Sequence, residues 1–238
     1  MSASDGRTAL VSGASRGIGL EIAHVLAADG MRVAMTARSA DELRERAVEI
    51  GDRAIVIPCD VADPNSVGSL VQRVFGEFGG PPDVIVNNAG NFALATVETT
   101  EPEAFRAAID VNLIAPFLLV RAFLADMRAR KRGHIVTIGS IADRVAFPEN
   151  GAYAASKFGL RALHEVLRAE LRGSGVRTTL VSPGPVDTSL WDAIDTETRA
   201  GFTPRRQMLS TRAVADAVRY VVSQPNDVNV DELRLSRS

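Results

Sequence analysis

Short runs rich in apolar and β-branched residues alternate along this chain with longer segments in which apolar residues recur at helical spacing. Arg7 to Ser12, Met31 to Thr36, Ala54 to Ile57, Asp83 to Val86, His134 to Gly139 and Val176 to Val181 read as strands, with a short last one at Glu232 to Leu235. Between them the pattern predicts helices over Leu20 to Ala28, Asp41 to Ile50, Asp63 to about Phe78, Thr100 to Arg130, Ala152 to Leu171 and Thr211 to Ser223. Asp63-Pro64 carries the marks of a helix start, an N-cap followed by proline in the first turn. Strand and helix in strict alternation imply right-handed crossovers, a parallel sheet and ligands at the strand carboxyl ends, hence an α/β fold. No linker, repeat or low-complexity stretch divides the chain, so residues 1–238 read as one domain.

The long segment Thr100 to Arg130 is interrupted by Asn112 and Pro116. Proline has no amide hydrogen, so Pro116 cannot donate to the carbonyl four residues back, which belongs to Asn112. A carbonyl freed in this way needs another partner, for which a water is suited. The alternative is a kink that merely fits the helix to the sheet.

Composition narrows the class. The 238 residues include 27 Lys and Arg against 29 Asp and Glu, a net charge of −2, so nothing suggests a surface for nucleic acid. The first residues, Met1 to Arg7, lack the apolar core of a secretory leader, and no apolar run approaches a membrane-spanning length. A soluble cytoplasmic protein with no membrane partner is expected. Cys59 is the only cysteine, which rules out an internal disulfide or a multi-thiolate metal site. His24, His134 and His164 lie far apart without ligand spacing, and no metal is expected.

Two stretches carry candidate chemistry. The first is Gly13-Ala-Ser15-Arg16-Gly17-Ile18-Gly19, set between a strand and a helix. Glycines there let the chain turn tightly and bring a pyrophosphate close to the amides of a helix N-terminus, although a purely structural turn has the same appearance. At the end of the second strand, Thr36-Ala37-Arg38-Ser39 offers no carboxylate for the ribose hydroxyl of NAD. Arg38 instead presents a forked donor suited to a 2′-phosphate, Ser39 adds a hydroxyl, and Arg16 could reach the same group. NADP(H) is therefore expected in preference to NAD(H). The second stretch, Tyr153-Ala-Ala-Ser-Lys157, puts a phenol and an ammonium on one helix face, about 5–6 Å apart at Cβ. A positive charge beside tyrosine pulls its pKa down from about 10 toward a useful range. A buried tyrosine with a snorkelling lysine gives the same spacing.

Taken in order, Gly13-x-x-x-Gly17-x-Gly19, Asp60, Asn87-Asn88-Ala89-Gly90, Asn112, Ser140, Tyr153-x-x-x-Lys157 and Pro183-Gly184 with Thr188 resemble the short-chain dehydrogenase/reductase family, in its compact single-domain branch. The resemblance implies a Rossmann-type doubly wound, mostly parallel seven-stranded sheet flanked by helices in three layers. It also implies hydride exchange between a nicotinamide and a carbonyl or secondary alcohol. Tyr153 would then be the general acid or base, Lys157 would lower its pKa and hold the nicotinamide ribose, and Ser140 would bond the substrate oxygen. Asn112 would hold a water linking Lys157 to solvent. Asp60 and Val61 would meet the adenine, the run Asn87, Ala89 and Gly90 would flank the adenosine side, and Val186 and Thr188 would reach the carboxamide. Ser12 stands where the family has threonine, and the C-terminus lacks the glycine-rich ending of many ketoacyl reductases of the family. Substrate contacts are expected from three loops, Asn91 to Thr99, Ile141 to Ala152 and the one near residues 186–206, with Phe92, Phe147, Trp191 and Phe202 as apolar walls and Arg144 for an anionic group. Trp191 and Phe202 fit a subunit interface equally well. Family members suggest a homodimer or homotetramer, with the apolar helix from Leu113 onward as a contact face. A catalytically silent NADP-binding regulator of the same fold and an NAD-dependent alcohol dehydrogenase are the alternatives.

Overall fold

Residues 6–238 are described by the computed structural model of the chain; Met1 to Asp5, on which part of the leader argument rests, lie outside the described residues. The strands are β1 (Thr8–Ser12), β2 (Arg32–Thr36), β3 (Ala54–Val56), β4 (Val84–Asn87), β5 (Gly133–Ile138), β6 (Val176–Pro183) and β7 (Glu232–Leu235). They form one sheet in the order β3-β2-β1-β4-β5-β6-β7, and every neighbouring pair is parallel. The helices are α1 (Gly17–Ala28), α2 (Ala40–Ile50), α3 (Pro64–Phe78), α4 (Pro102–Ile109), α5 (Ala115–Ala129), α6 (Gly151–Glu170) and α7 (Thr211–Ser223).

Helices cover both faces of the sheet, which is why the central strands are apolar at successive positions rather than alternating. Ala9 and Val11 of β1, Val84 and Val86 of β4 and Val136 of β5 share one core with Ile22 and Leu26 of α1 and Val214 and Val218 of α7. Their neighbours Leu10, Ile85 and Ile135 turn to the other face, against Leu70 and Val74 of α3 and Leu119 and Phe123 of α5. Local chemistry sets the helix starts. Asp63 accepts from the amides of Asn65 and Ser66 with Pro64 in the first turn, and Ser39 and Ser210 cap α2 and α7 by accepting from Glu42 and Ala213.

The strand order positions the site. From β1 the chain builds β2 and β3 on one side, then returns to place β4 on the other side of β1. Helices thus leave β1 and β4 toward opposite faces, and a crevice opens at the carboxyl ends of these two strands.

The expectation that no apolar run reaches membrane length is corrected by the segment Pro102–Ala129. It is helical over 28 residues and, by length and composition alone, apolar enough to cross a bilayer. Its hydropathy reflects two faces: Leu119, Phe123 and Met127 pack on the sheet, while Phe105, Ile114 and Phe117 are exposed.

Two histidines are buried as neutral groups. Burial, aided by Arg177 and Arg7, holds His134 well below its ordinary value, and burial with Arg168 lowers His164 to about 4. The unfolded chain therefore binds protons that the native state refuses below about pH 6.5. Stability is expected to rise with pH between about 4 and 6.5, with His164 contributing about 3 kcal/mol to that slope. Urea midpoints measured across this range check it: His164→Leu should flatten the curve, and an unchanged slope would refute the assignment.

Candidate active site

The crevice is laced together by Ser12 and Asn88. Ser12 Oγ donates to the Val86 carbonyl at 3.2 Å and accepts from the amides of Asn88 (3.0 Å) and Ala89 (3.1 Å). Asn88 Nδ2 in turn donates to the carbonyls of Ser12 (2.9 Å) and Gly13 (3.3 Å). The hydroxyl at position 12 thus keeps the turn, whether it belongs to serine or threonine. Gly13 (φ +66°) and Gly17 (φ +58°) use the left-handed region. Gly19 is required by proximity, because a Cβ there would lie 2.2 Å from the Gly13 oxygen. The turn delivers the chain to α1, whose N-cap Arg16 makes no side-chain capping bond, so the first amides of the helix face the crevice unsatisfied.

Around this turn the expected cofactor residues fall as follows. Thr188, beyond β6, brings its methyl within 3.5 Å of where a Gly17 Cβ would sit, so the loop after β6 reaches the glycine turn. Gly90 lies against Asn112, where its Cβ would be 3.5 Å from Oδ1. Asn87 ends β4 with both side-chain polar atoms buried and unpartnered. Ser15 is half-buried, and Arg16 and Arg38 are exposed with neither guanidinium engaged by another group of the described residues. Ser39 Oγ already accepts from the Glu42 amide at 3.2 Å and keeps its proton to donate. Asp60 is exposed, its carboxylate accepting from the Ala62 amide at 3.1 Å. Pro183 ends β6, and the Gly184 amide is tied to the Leu235 carbonyl at 2.8 Å. The side chains of Val61 and Val186 are buried in the two cores. Ile18 packs partly against the core from the start of α1. The orphaned amide of Asn87, the glycine cradle and two free guanidinium groups fit a dinucleotide carrying an extra phosphate.

Asn112, Ser140, Tyr153 and Lys157 come together at the carboxyl end of β5. Between α4 and α5 the helix widens into a π turn, Asp110–Ile114, in which the Ala115 amide bonds the Asp110 carbonyl. Pro116 falls just after it, so the helix is irregular where the missing amide hydrogen requires it, a feature frequent at functional sites. The buried Asn112 side chain accepts from the Asn91 amide (2.8 Å) and donates to the Asn91 carbonyl (2.9 Å) and Ser156 Oγ (2.9 Å). Ser156 passes this on to the Tyr153 carbonyl at 2.7 Å. One asparagine thereby fixes the loop after β4 to α6. Ser140 caps a 3-10 turn (Ile141–Asp143), accepting from the Ala142 amide at 3.1 Å, and its hydroxyl is close enough to the Tyr153 phenol to pull its pKa down.

The expected lowering of Tyr153 by Lys157 is not what the protein alone produces. Burial raises Tyr153 above its ordinary value, Ser140 pulls it down, and the Asp143 carboxylate raises it. Lys157 Nζ donates to the Ile138 carbonyl at 3.0 Å and sits 5.6 Å over the tyrosine ring centroid. Burial lowers Lys157 to about 8 against an opposing pull from Asp143. Desolvation is the largest influence on both groups, so the phenol holds its proton at neutral pH.

Three of the expected aromatic residues wall the site. Phe92 meets the Tyr153 ring edge-on at 4.9 Å, Trp191 follows at 5.1 Å and Phe202 at 6.4 Å, with the Trp191 indole nitrogen donating to the Val186 carbonyl at 3.0 Å. Phe147 makes no ring contact with this series and is exposed, contrary to expectation. Arg144 is also corrected: its guanidinium is held by Asp143 (2.7 Å) and Glu232 (2.6 Å) and is not available to an anionic substrate. A cavity of about 320 Å³ between the starts of α4 and α6 is lined by Val97, Phe105, Arg106 and Ala152 among others, and none of the four polar residues lines it.

The sequence profile of the short chain dehydrogenase family matches residues 7–199. The chain belongs to this family. As a short-chain dehydrogenase it is an oxidoreductase of a family that binds a nicotinamide cofactor. It is 32% identical over 231 residues to an uncharacterized oxidoreductase of Staphylococcus saprophyticus, covering 95% of this chain and 94% of that one. Among solved structures it is similar to a metagenomic short-chain oxidoreductase in complex with NADP, with a TM-score of 0.85 and 34% identity over 100% of this chain and 99% of the other. An alcohol dehydrogenase from the archaeon Thermococcus sibiricus, complexed with 5-hydroxy-NADP, gives 0.85 and 32% over 96% and 95%.

Sequence reading missed Asp143, Ser156 and Ser182, and took Asn88 only as a member of its run. The spacing Ser140-x-x-Asp143 is that of a capping box and was legible. Ser182, and Ser156 in its bond to Asn112, carry no such signal, because those partners are distant in the chain.

Proposed function

We propose that this short-chain dehydrogenase transfers a hydride between NADP(H) and a carbonyl compound or secondary alcohol. The observation that carries the reading is the convergence of Ser140, Tyr153, Lys157 and Asn112 beside the glycine turn. When bound, the nicotinamide supplies or accepts the hydride at the carbonyl carbon. In reduction Tyr153 gives its phenolic proton to the carbonyl oxygen as the C–O bond gains charge, and Ser140 donates a hydrogen bond to the same oxygen. In oxidation the tyrosine takes that proton back. Lys157 lies beside the ring to hold the ribose, and Asn112 fixes the helix that carries both. A silent regulator would have no use for the complete set.

Preference for NADP rests on Arg16 and Arg38 and on the lack of a carboxylate at positions 36–39. The two solved neighbours described above, whose own complexes hold NADP and a hydroxylated NADP, agree with it. Side-by-side binding of NADPH and NADH, followed by turnover against aldehydes, ketones and keto esters, tests the whole reading. Arg38→Ala should weaken NADPH roughly tenfold or more, since it removes charge-assisted bonds to a phosphate, and leave NADH unchanged. Equal effects on both cofactors would favour the NAD-dependent alternative. We place the protein in the cytoplasm as a homodimer or homotetramer, with Ile114 and Phe117 of the long helix and Phe158 and Val166 of α6 as exposed apolar contact points. Sedimentation would return a monomer if this is wrong.

A further inference from the structure

A carboxylate with no part in the chemistry above stands directly behind Ser140. Asp143 is 1% exposed, and its Oδ2 accepts from Ser182 Oγ at 2.5 Å and from the Ser140 amide at 3.4 Å. Its Oδ1 accepts from Arg144 Nε at 2.7 Å, and Arg144 continues to Glu232, the first residue of β7. Buried carboxylates persist only where partners offset the loss of water; here Ser182 supplies one from β6, and Arg144 links the carboxylate onward to β7. The same charge reaches the reacting pair: Asp143 opposes ionisation of Tyr153 and favours the ammonium form of Lys157.

The other charged groups near the site are spent elsewhere. Asp187 and Asp192 on the loop after β6 are held by Arg205, and Glu149 is held by Arg199. Glu165 pairs with Arg161 on α6 itself, and Asp110 on the π turn faces solvent. In the glycine turn, Arg16 is exposed.

We infer that Asp143 is a positioning residue: its buried carboxylate, bonded to Ser182 and the Ser140 amide and joined to β7 through Arg144, fastens the Ser140 loop to the sheet and places a negative charge behind the Tyr153–Lys157 pair. Two interacting groups titrate as a unit, so removing a negative charge beside them favours proton loss from whichever carries it. The consequence for turnover rests on the hydride-transfer reading; the consequence for titration does not.

The test uses tyrosinate absorbance, because the chain has two tyrosines and Tyr220 is exposed. With Tyr153→Phe as the reference for subtraction, the Tyr153 transition should move to lower pH in Asp143→Asn. It should stay in place in Ser182→Ala, which loses one hydrogen bond but keeps the charge. Arg144→Gln removes the neutralising cation and should move the transition to higher pH, which keeps the test available if Asp143→Asn does not fold. With NADP and a secondary alcohol, the acid limb of oxidation should shift with the absorbance, so that Asp143→Asn runs several-fold faster there relative to its own plateau. A transition unmoved in both charge variants, or moved as far in Ser182→Ala, would overturn the inference. Absorbance shifts as expected in an enzyme without turnover would leave Asp143 assigned and sink the hydride-transfer reading instead.

Discussion

Tyr153→Phe is expected to lose roughly 10² to 10⁴ of the turnover while keeping the fold and the cofactor. The argument is geometric. Phenylalanine keeps the ring that meets Phe92 edge-on at 4.9 Å and the surface that lies beneath Lys157, so packing is preserved. Only the hydroxyl is lost, and with it the proton that must pass to the carbonyl oxygen. Ser140 remains to bond that oxygen, which leaves a residual rate rather than none. The measurement is kcat with the preferred cofactor beside an unfolding midpoint. Wild-type turnover in the folded variant would remove Tyr153 from the proton transfer.

Gly19→Ala is expected to abolish cofactor binding at concentrations that saturate the wild type, and to destabilise the fold by about 1–3 kcal/mol. The added methyl would stand 2.2 Å from the Gly13 carbonyl oxygen and 2.4 Å from Asn88 Nδ2. Both belong to the lacing that joins the ends of β1 and β4, so relief requires backbone movement in the turn that receives the phosphates. Gly68 provides the contrast, inside α3 with open space around its Cβ position. Gly68→Ala should leave binding intact and stabilise the protein by roughly 0.5–1 kcal/mol. Fluorescence titration with NADPH and a chemical melt on both variants decide the matter. Equal behaviour would show that the close approach at Gly19 is not what the turn depends on.

The sequence by itself determined the order of strands and helices, the α/β class and the glycine turn, because each rests on local signals. Period, capping at Asp63-Pro64 and the glycines are readable within a few residues of one another. The irregularity at Asn112 was legible too, since the missing amide hydrogen of Pro116 is a covalent fact. It also fixed Tyr153 and Lys157 on one helix face. What it left open was decided by contacts between distant parts of the chain. Whether Lys157 lowers the tyrosine depends on burial, and burial is set by β5 and the loops over it. Arg144 looked free for a substrate, but β7, which begins at Glu232, brings a carboxylate to it. Asp143 became notable only once β6 placed Ser182 against it. Charges and hydrogen bonds act through space over a few ångströms, so partners dozens of residues apart leave no local mark, and only the folded sheet pairs them.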